Sequence, residues 1–205
     1  MTFIEEFHPT KRALLLATAE LLETKTPQEL RTEEVLEMAH VSKGSLYHHF
    51  RDLTQLLEAA QVFRYGQFID SAVEGVNNLV DQARTREDMV QGMKMIAAIQ
   101  QSENLRQSRN EQFSQLAAAS KSEEMKAGLG REQERLTNAL ADLFRHSIVR
   151  GWANPAIDPR AAAVFARAIT IGKIVDDVTR DQMEQKNYLM IIELVLENVF
   201  FPSNS

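Results

Sequence analysis

Three features of the sequence predict an all-α fold. Apolar residues recur at three- and four-residue spacing along most of the chain, helix start and stop signals fall between those runs, and beyond residue 80 no stretch alternates as a strand would. The arrangement expected is an N-terminal three-helix domain with a helix-turn-helix at residues 1–51, then a C-terminal helical bundle at residues 52–205. The sequence contains no internal repeat and no low-complexity tract.

The first helix is expected from about Pro9, whose ring suits a first turn, to Glu23, with Leu14, Leu15, Thr18, Leu21 and Leu22 on one face. Thr24-Lys25-Thr26-Pro27 breaks it. Thr32 is expected to cap a short second helix that buries Val35 and Ala39, with a tight turn at His40 and Val41 and Ser42 capping a third helix. In that third helix Leu46 and Phe50 lie one turn apart and point inward, leaving Lys43, Ser45, Tyr47, His48 and His49 on the outer faces. These groups suit DNA. Lys43 can neutralise a phosphate, and Tyr and His side chains can bond to phosphates or approach base edges and the thymine methyl. Gly44 removes a side chain where such a helix would approach a groove, and its cost of ~1 kcal/mol against alanine calls for a local reason.

Asp52 with Gln55 reads as a capping box for a fourth helix, carrying Leu53, Leu56, Leu57 and Ala60 and running toward residue 70 to join the two domains. Thr85 and Asp88 can open a helix bearing Met89, Met93, Ile96 and Ala97, and another follows through Leu105, Phe113 and Leu116 to Ala119. Ser120 to Gly130 reads as a break or kink. From about Arg131 to Arg150 the residues Leu136, Leu140, Leu143, Phe144 and Ile148 keep one face apolar, and Gly151 stops the helix. Asn154-Pro155 marks a loop, and Asp158-Pro159 starts a helix to about Asp176. After an acidic, solvated link at Asp176, Asp177 and Asp181, Tyr188 to Phe201 is apolar almost all round. That segment is too short to span a membrane and needs cover on more than one side, which dimerisation would supply.

The run Ser42-Lys43-Gly44-Ser45-Leu46-Tyr47-His48-His49-Phe50 resembles the recognition helix of the TetR family of bacterial transcriptional regulators: a small polar pair, Leu-Tyr, any residue, His, Phe. The resemblance extends back through Lys11, Leu14, Leu15, Thr18, Leu21 and Leu22, like the family's first helix, and forward to Leu56-Leu57. The rest of the chain matches only in length and helical character. Three positions depart from the family pattern: His40 stands where glycine is common and must tolerate a left-handed conformation, Leu36 where a small residue is usual, and Leu53 where a phosphate-contacting lysine is usual. Arg51 is the nearest substitute for that lysine.

The resemblance implies a homodimeric regulator, most simply a repressor, that binds a double-stranded operator and leaves it when a small molecule occupies the C-terminal domain. Its DNA-contacting set would be Thr32 (through its backbone N–H), Ser42, Lys43, Gly44, Ser45, Tyr47, His48, His49 and Arg51. Effector-lining candidates, chosen for size and inward position, are Phe63, Met89, Met93, Ile96, Phe113, Phe144 and Trp152, with His146 as a possible hydrogen-bonding group. Pairing through the last two helices would use Phe165, Ala168, Ile169, Gly172, Leu189, Ile192, Val195, Leu196 and Val199. A regulator of the same shape that senses a protein partner or nothing, and a helical interaction module without DNA function, stay open alternatives.

Composition sets the remaining bounds. The 205 residues are 44% hydrophobic and 25% charged, as in an ordinary globular protein. With no cysteine, neither a disulfide framework nor a thiolate zinc site is available. Met1-Thr2-Phe3-Ile4-Glu5-Glu6 lacks the basic start and apolar core of a leader, and a cytoplasmic location is expected. The net charge of −6 is not that of a broadly basic DNA binder, and residues 1–51 carry six Lys or Arg against eight acids, so phosphate contact must rest on a local face. No Gly-rich phosphate loop, His-Glu metal spacing or nucleophile elbow appears. Adjacent His48 and His49 project about 100° apart on a helix and cannot pair on a metal as i,i+4 residues would. No enzyme activity, cofactor or metal is expected.

Overall fold

A computed structural model describes residues 7–203, so the segment Met1–Glu6 read above for a leader lies outside the described residues. The described residues are all-α and divide into two compact units, the first running through residue 68 and including 118–130, the second made of residues 69–117 and those from 131 onward.

In the first unit α1 (Pro9–Leu21), α2 (Thr32–Ala39) and α3 (Lys43–His49) pack with the start of α4 (Leu53–Gln82) around Leu14, Leu15, Leu22, Val35, Leu46, Phe50, Leu56 and Ala60. Thr18, fully buried among them, returns its hydroxyl to the Leu14 carbonyl at 2.7 Å, which satisfies the donor without a partner from outside the helix. The Arg64 guanidinium donates to the Leu22 carbonyl at 2.8 Å, so α4 is tied to the end of α1. α7 (Glu123–Val149) begins in this unit. Its Gly128 meets Val62 of α4, and a Cβ there would lie 2.9 Å from both Val62 γ-carbons. This close approach explains a glycine inside a helix and corrects the break expected at Ser120 to Gly130. The break is confined to the short turn around Ser120 to Ser122, where Ser122 caps α7 by accepting from the Met125 N–H at 3.2 Å.

The second unit contains the rest of α4, α5 (Arg86–Gln100), α6 (Arg106–Ala118), the body of α7, α8 (Pro159–Gly172), the short α9 (Ile174–Asp177) and α10 (Gln185–Val195). α4 runs 12 residues past the expected end near residue 70, because nothing between Ser71 and Asp81 breaks it and Val76, Leu79 and Val80 continue its apolar face into the core. Thr85 and Asp88 form the expected capping box of α5. Gly151, at φ +71°, ends α7, and Asp158 caps α8 through the Ala161 N–H at 2.7 Å. α10 continues as a π-helical turn, Leu196–Phe200, which brings both Phe200 and Phe201 against Phe144 with ring centroids 5.0 and 6.0 Å apart.

The acidic link is not solvated as expected. Asp177 is buried, its Oδ2 taking Arg109 Nε and Nη2 at 3.1 and 3.0 Å and its Oδ1 taking Lys173 Nζ at 3.3 Å. Burial pushes its carboxyl up, but the bonds from Arg109 and Lys173 outweigh that and hold it below the usual carboxylate range. No helix among the described residues is long and apolar enough to cross a membrane.

Candidate nucleic-acid interface

The α2–turn–α3 segment is built around one backbone irregularity. His40 ends α2 at φ 53°, ψ 42°, the left-handed conformation its position requires, with its N–H on the Glu37 carbonyl (3.2 Å) and the Val41 N–H on the Leu36 carbonyl (3.2 Å). Asn, Asp and His tolerate this region better than other side chains. The start of α2 differs from the expectation. Arg31 holds the cap position and the Glu34 carboxylate accepts its N–H at 3.2 Å, while Thr32 falls in the first turn. A short polar side chain at the cap is therefore replaced by a carboxylate reaching back from the third helical residue.

Ser42 caps α3 as predicted, accepting from the Ser45 N–H at 3.2 Å, and the two hydroxyls bond at 2.9 Å. Leu46 and Phe50 are buried, which turns Lys43, Gly44, Tyr47 and His48 to solvent, Tyr47 with 49% of its surface exposed. Gly44 is crowded by nothing inside the chain, since a Cβ would meet only Ser42 Oγ, at 3.8 Å. Internal packing therefore does not account for its cost in helix propensity.

His49 is partly buried. Its ring lies 5.0 Å from that of His8 and 4.9 Å, edge-on, from that of His48. Burial first, then the proximity of His48, His8 and Lys11, holds its imidazole below the ordinary histidine value. Reading α3 alone could not reveal His8 and Lys11, because they arrive from α1 and the residue before it; Lys11 itself lies over the Phe7 and Phe50 rings at 4.5 and 5.6 Å. Arg51 is exposed and paired with Glu124 of α7 at 3.5 Å and Asp52 at 3.9 Å. Asp52 caps α4 through the Gln55 N–H at 2.8 Å, while Gln55 Oε1 takes the Arg51 N–H at 2.7 Å.

The other predicted residues divide by unit. Met89, Met93 and Phe144 are buried in the core of the second unit, with Trp152 packed against it and Ile96 partly buried; Phe113 is 47% exposed on α6. Phe63 packs with the core of the first unit. His146 is partly buried, edge-on to Trp152, with Nε2 buried and unpartnered. On α8 and α10, Phe165, Ala168, Gly172 and Val199 are exposed and Ile169, Leu189 and Val195 partly buried, whereas Ile192 and Leu196 lie in the protomer's own core. The outward apolar side chains of this region also include Val164, Ile191 and Leu194, which helical spacing did not single out.

Residues 14–60 match the family model for bacterial regulatory proteins, tetR family. The whole fold resembles solved structures of such proteins at low sequence identity. A Mesorhizobium loti protein assigned to the TetR-family transcriptional regulators superposes with a TM-score of 0.68 at 17% identity, over 96% of each chain. A TetR-family transcriptional regulator from Cytophaga hutchinsonii gives 0.67 at 14%, over 97% of this chain and 100% of its own. A protein from Saccharomonospora viridis, described as a transcriptional regulator in complex with choline, gives 0.66 at 12%, over 94% and 98%. A comparison with curated proteins found no sequence match. Residues 14–60 thus carry the helix-turn-helix segment of the tetR family of bacterial regulatory proteins, and the chain as a whole shares the all-helical fold of the solved structures above.

Proposed function

We propose that the protein is a homodimeric DNA-binding transcriptional regulator, a repressor that leaves its operator when a small molecule binds its C-terminal domain, and that it has no catalytic role. The observation that carries this reading is α3: a capped helix anchored by Leu46 and Phe50 that presents Lys43, Tyr47, His48 and an uncrowded Gly44 outward within the family-matched segment. Thr32, Ser42, Ser45, His49 and Arg51 would complete the contact set. The glycine allows the helix end to come close to the groove wall, Lys43 takes a phosphate, and Tyr47 and His48 reach phosphate or base edges.

The functional division is proposed at residue 51, with DNA contact before it and effector binding and dimerisation in 52–205. Support for pairing comes from Val164, Phe165, Ile191, Leu194 and Val199, large apolar side chains about half exposed on α8, α10 and the turn after it. Support for a small-molecule effector comes from the choline complex of the similar Saccharomonospora viridis protein. Two recognition helices in a dimer would enter successive major grooves about 34 Å apart. A ligand that tilts α4, which like α7 runs through both units, would change that spacing, and release needs a differential affinity on the order of 1–3 kcal/mol. Selection of bound fragments from genomic DNA, followed by footprinting, tests the reading. The expected result is two related half-sites about one helical turn apart; protection of a single site, or of none, would reject it.

A further inference from the structure

Gln101, the residue closing α5, is fully buried, and neither its Oε1 nor its Nε2 has a partner. Its backbone N–H is already used on the Ala97 carbonyl at 2.9 Å. Buried side-chain amides are almost always bonded, so one with both ends idle calls for a partner.

The neighbourhood indicates the partner's charge. Arg109 Nη1 donates to the carbonyls of Gln100 and Ser102, at 2.9 Å each, so the guanidinium is clamped by the residues on either side of Gln101. Its other nitrogens hold Asp177, which also serves Lys173. All three of these charged groups are buried, with 5–6% of each residue's surface exposed. One carboxylate therefore balances two buried cations. Arg106, which donates to the Asp177 backbone carbonyl, adds no charge to the excess because Glu103 pairs with it at 3.0 Å. A buried unit charge left uncompensated is costly, and a bound anion would supply the missing charge.

We propose that Gln101 and the Arg109–Asp177–Lys173 cluster form the polar end of the effector site and that the effector carries a carboxylate. This rests on the reading of the C-terminal domain as ligand-responsive. The amide Nε2–H and the spare Lys173 protons would donate to the carboxylate, and a hydroxyl or amide on the ligand would meet Gln101 Oε1. A quaternary ammonium would face like charge here.

The test is thermal melting of the full-length protein with acetate, octanoate and benzoate, against benzamide and choline as neutral and cationic probes. At least one carboxylate should raise Tm in a saturable way, and benzamide and choline should not. Gln101→Leu should raise the Tm of the free protein, because it removes the unpaired amide, yet weaken the carboxylate response at least tenfold. Lys173→Met, which leaves Arg109 and Asp177 as a neutral pair, should abolish that response. The proposal is overturned if no carboxylate stabilises the protein, if choline or benzamide does so equally, or if Gln101→Leu responds like the parent. A parallel DNA-binding assay separates the two readings. Carboxylate binding without release of DNA would leave the site standing and remove the ligand-released repressor, whereas release of DNA by choline alone would do the reverse.

Discussion

The left-handed residue between α2 and α3 makes a quantitative prediction. His40 is exposed, so changing its side chain alters backbone strain and little else. A non-glycine residue in this conformation costs roughly 1–2 kcal/mol, and glycine gives back about 0.5–1 kcal/mol of that through the larger entropy of its unfolded chain. His40→Gly should therefore be neutral or stabilise by up to about 1 kcal/mol. His40→Val, β-branched and a genuine outlier at φ 53°, should destabilise by about 1–2 kcal/mol. For a chain of this size 1 kcal/mol is worth roughly 2–4 °C in Tm, so the two variants, about 1–3 kcal/mol apart, should melt at least about 2 °C apart. Differential scanning calorimetry reads the gap. If the variants melt within about 1 °C of each other, the turn does not carry the strain assigned to it, and the geometry placing α3 is misjudged.

Three further outcomes follow from the same geometry. Because the folded state holds His49 below its ordinary value, the unfolded chain binds more protons once the pH drops below about 6.5. Stability should then fall from that pH toward the lower folded value, and His49→Gln should flatten this part of a denaturant-melting pH series. Gly128→Ala should fail to give the ~1 kcal/mol helix-propensity gain, since its Cβ strikes the stiff γ-carbons of Val62, whereas Gly130→Ala, with nothing within 4 Å, should give it in full when the two are compared by chemical denaturation. Lys43 and Arg51 supply two cations per protomer, four per dimer, so log affinity against log salt should have a slope of about −4 rather than the −10 of a strongly basic repressor, as titration across a salt series would show.

Much of the first unit was legible because its signals are local. A proline at the first turn, Ser42 at a cap, a left-handed residue at His40 and an inward pair at Leu46 and Phe50 each act over a few residues, and each is where the sequence predicts it. What escaped depends on contacts between distant segments. Gly128 reads as a breaker until Val62 is seen against it, Asp177 as a solvated acid until Arg109 arrives from α6, and His49 as an outward group until His8 lies beside it. The last helical segment is apolar almost all round in sequence, so periodicity cannot separate inward Ile192 and Leu196 from outward Ile191 and Leu194. The proposed effector chemistry was the least legible, because the proposal rests on Gln101, a side chain that periodicity treats as neutral and that becomes informative only when found buried without a partner.

The central claim is that the outward face of α3 meets DNA, and operator affinity of a Lys43→Ala, Tyr47→Phe double variant tests it most directly. Both side chains are exposed, so Tm should stay within about 1 °C of the parent while the lost phosphate and base contacts weaken specific binding by roughly tenfold or more. A double variant that binds the operator as tightly as the parent would contradict the account.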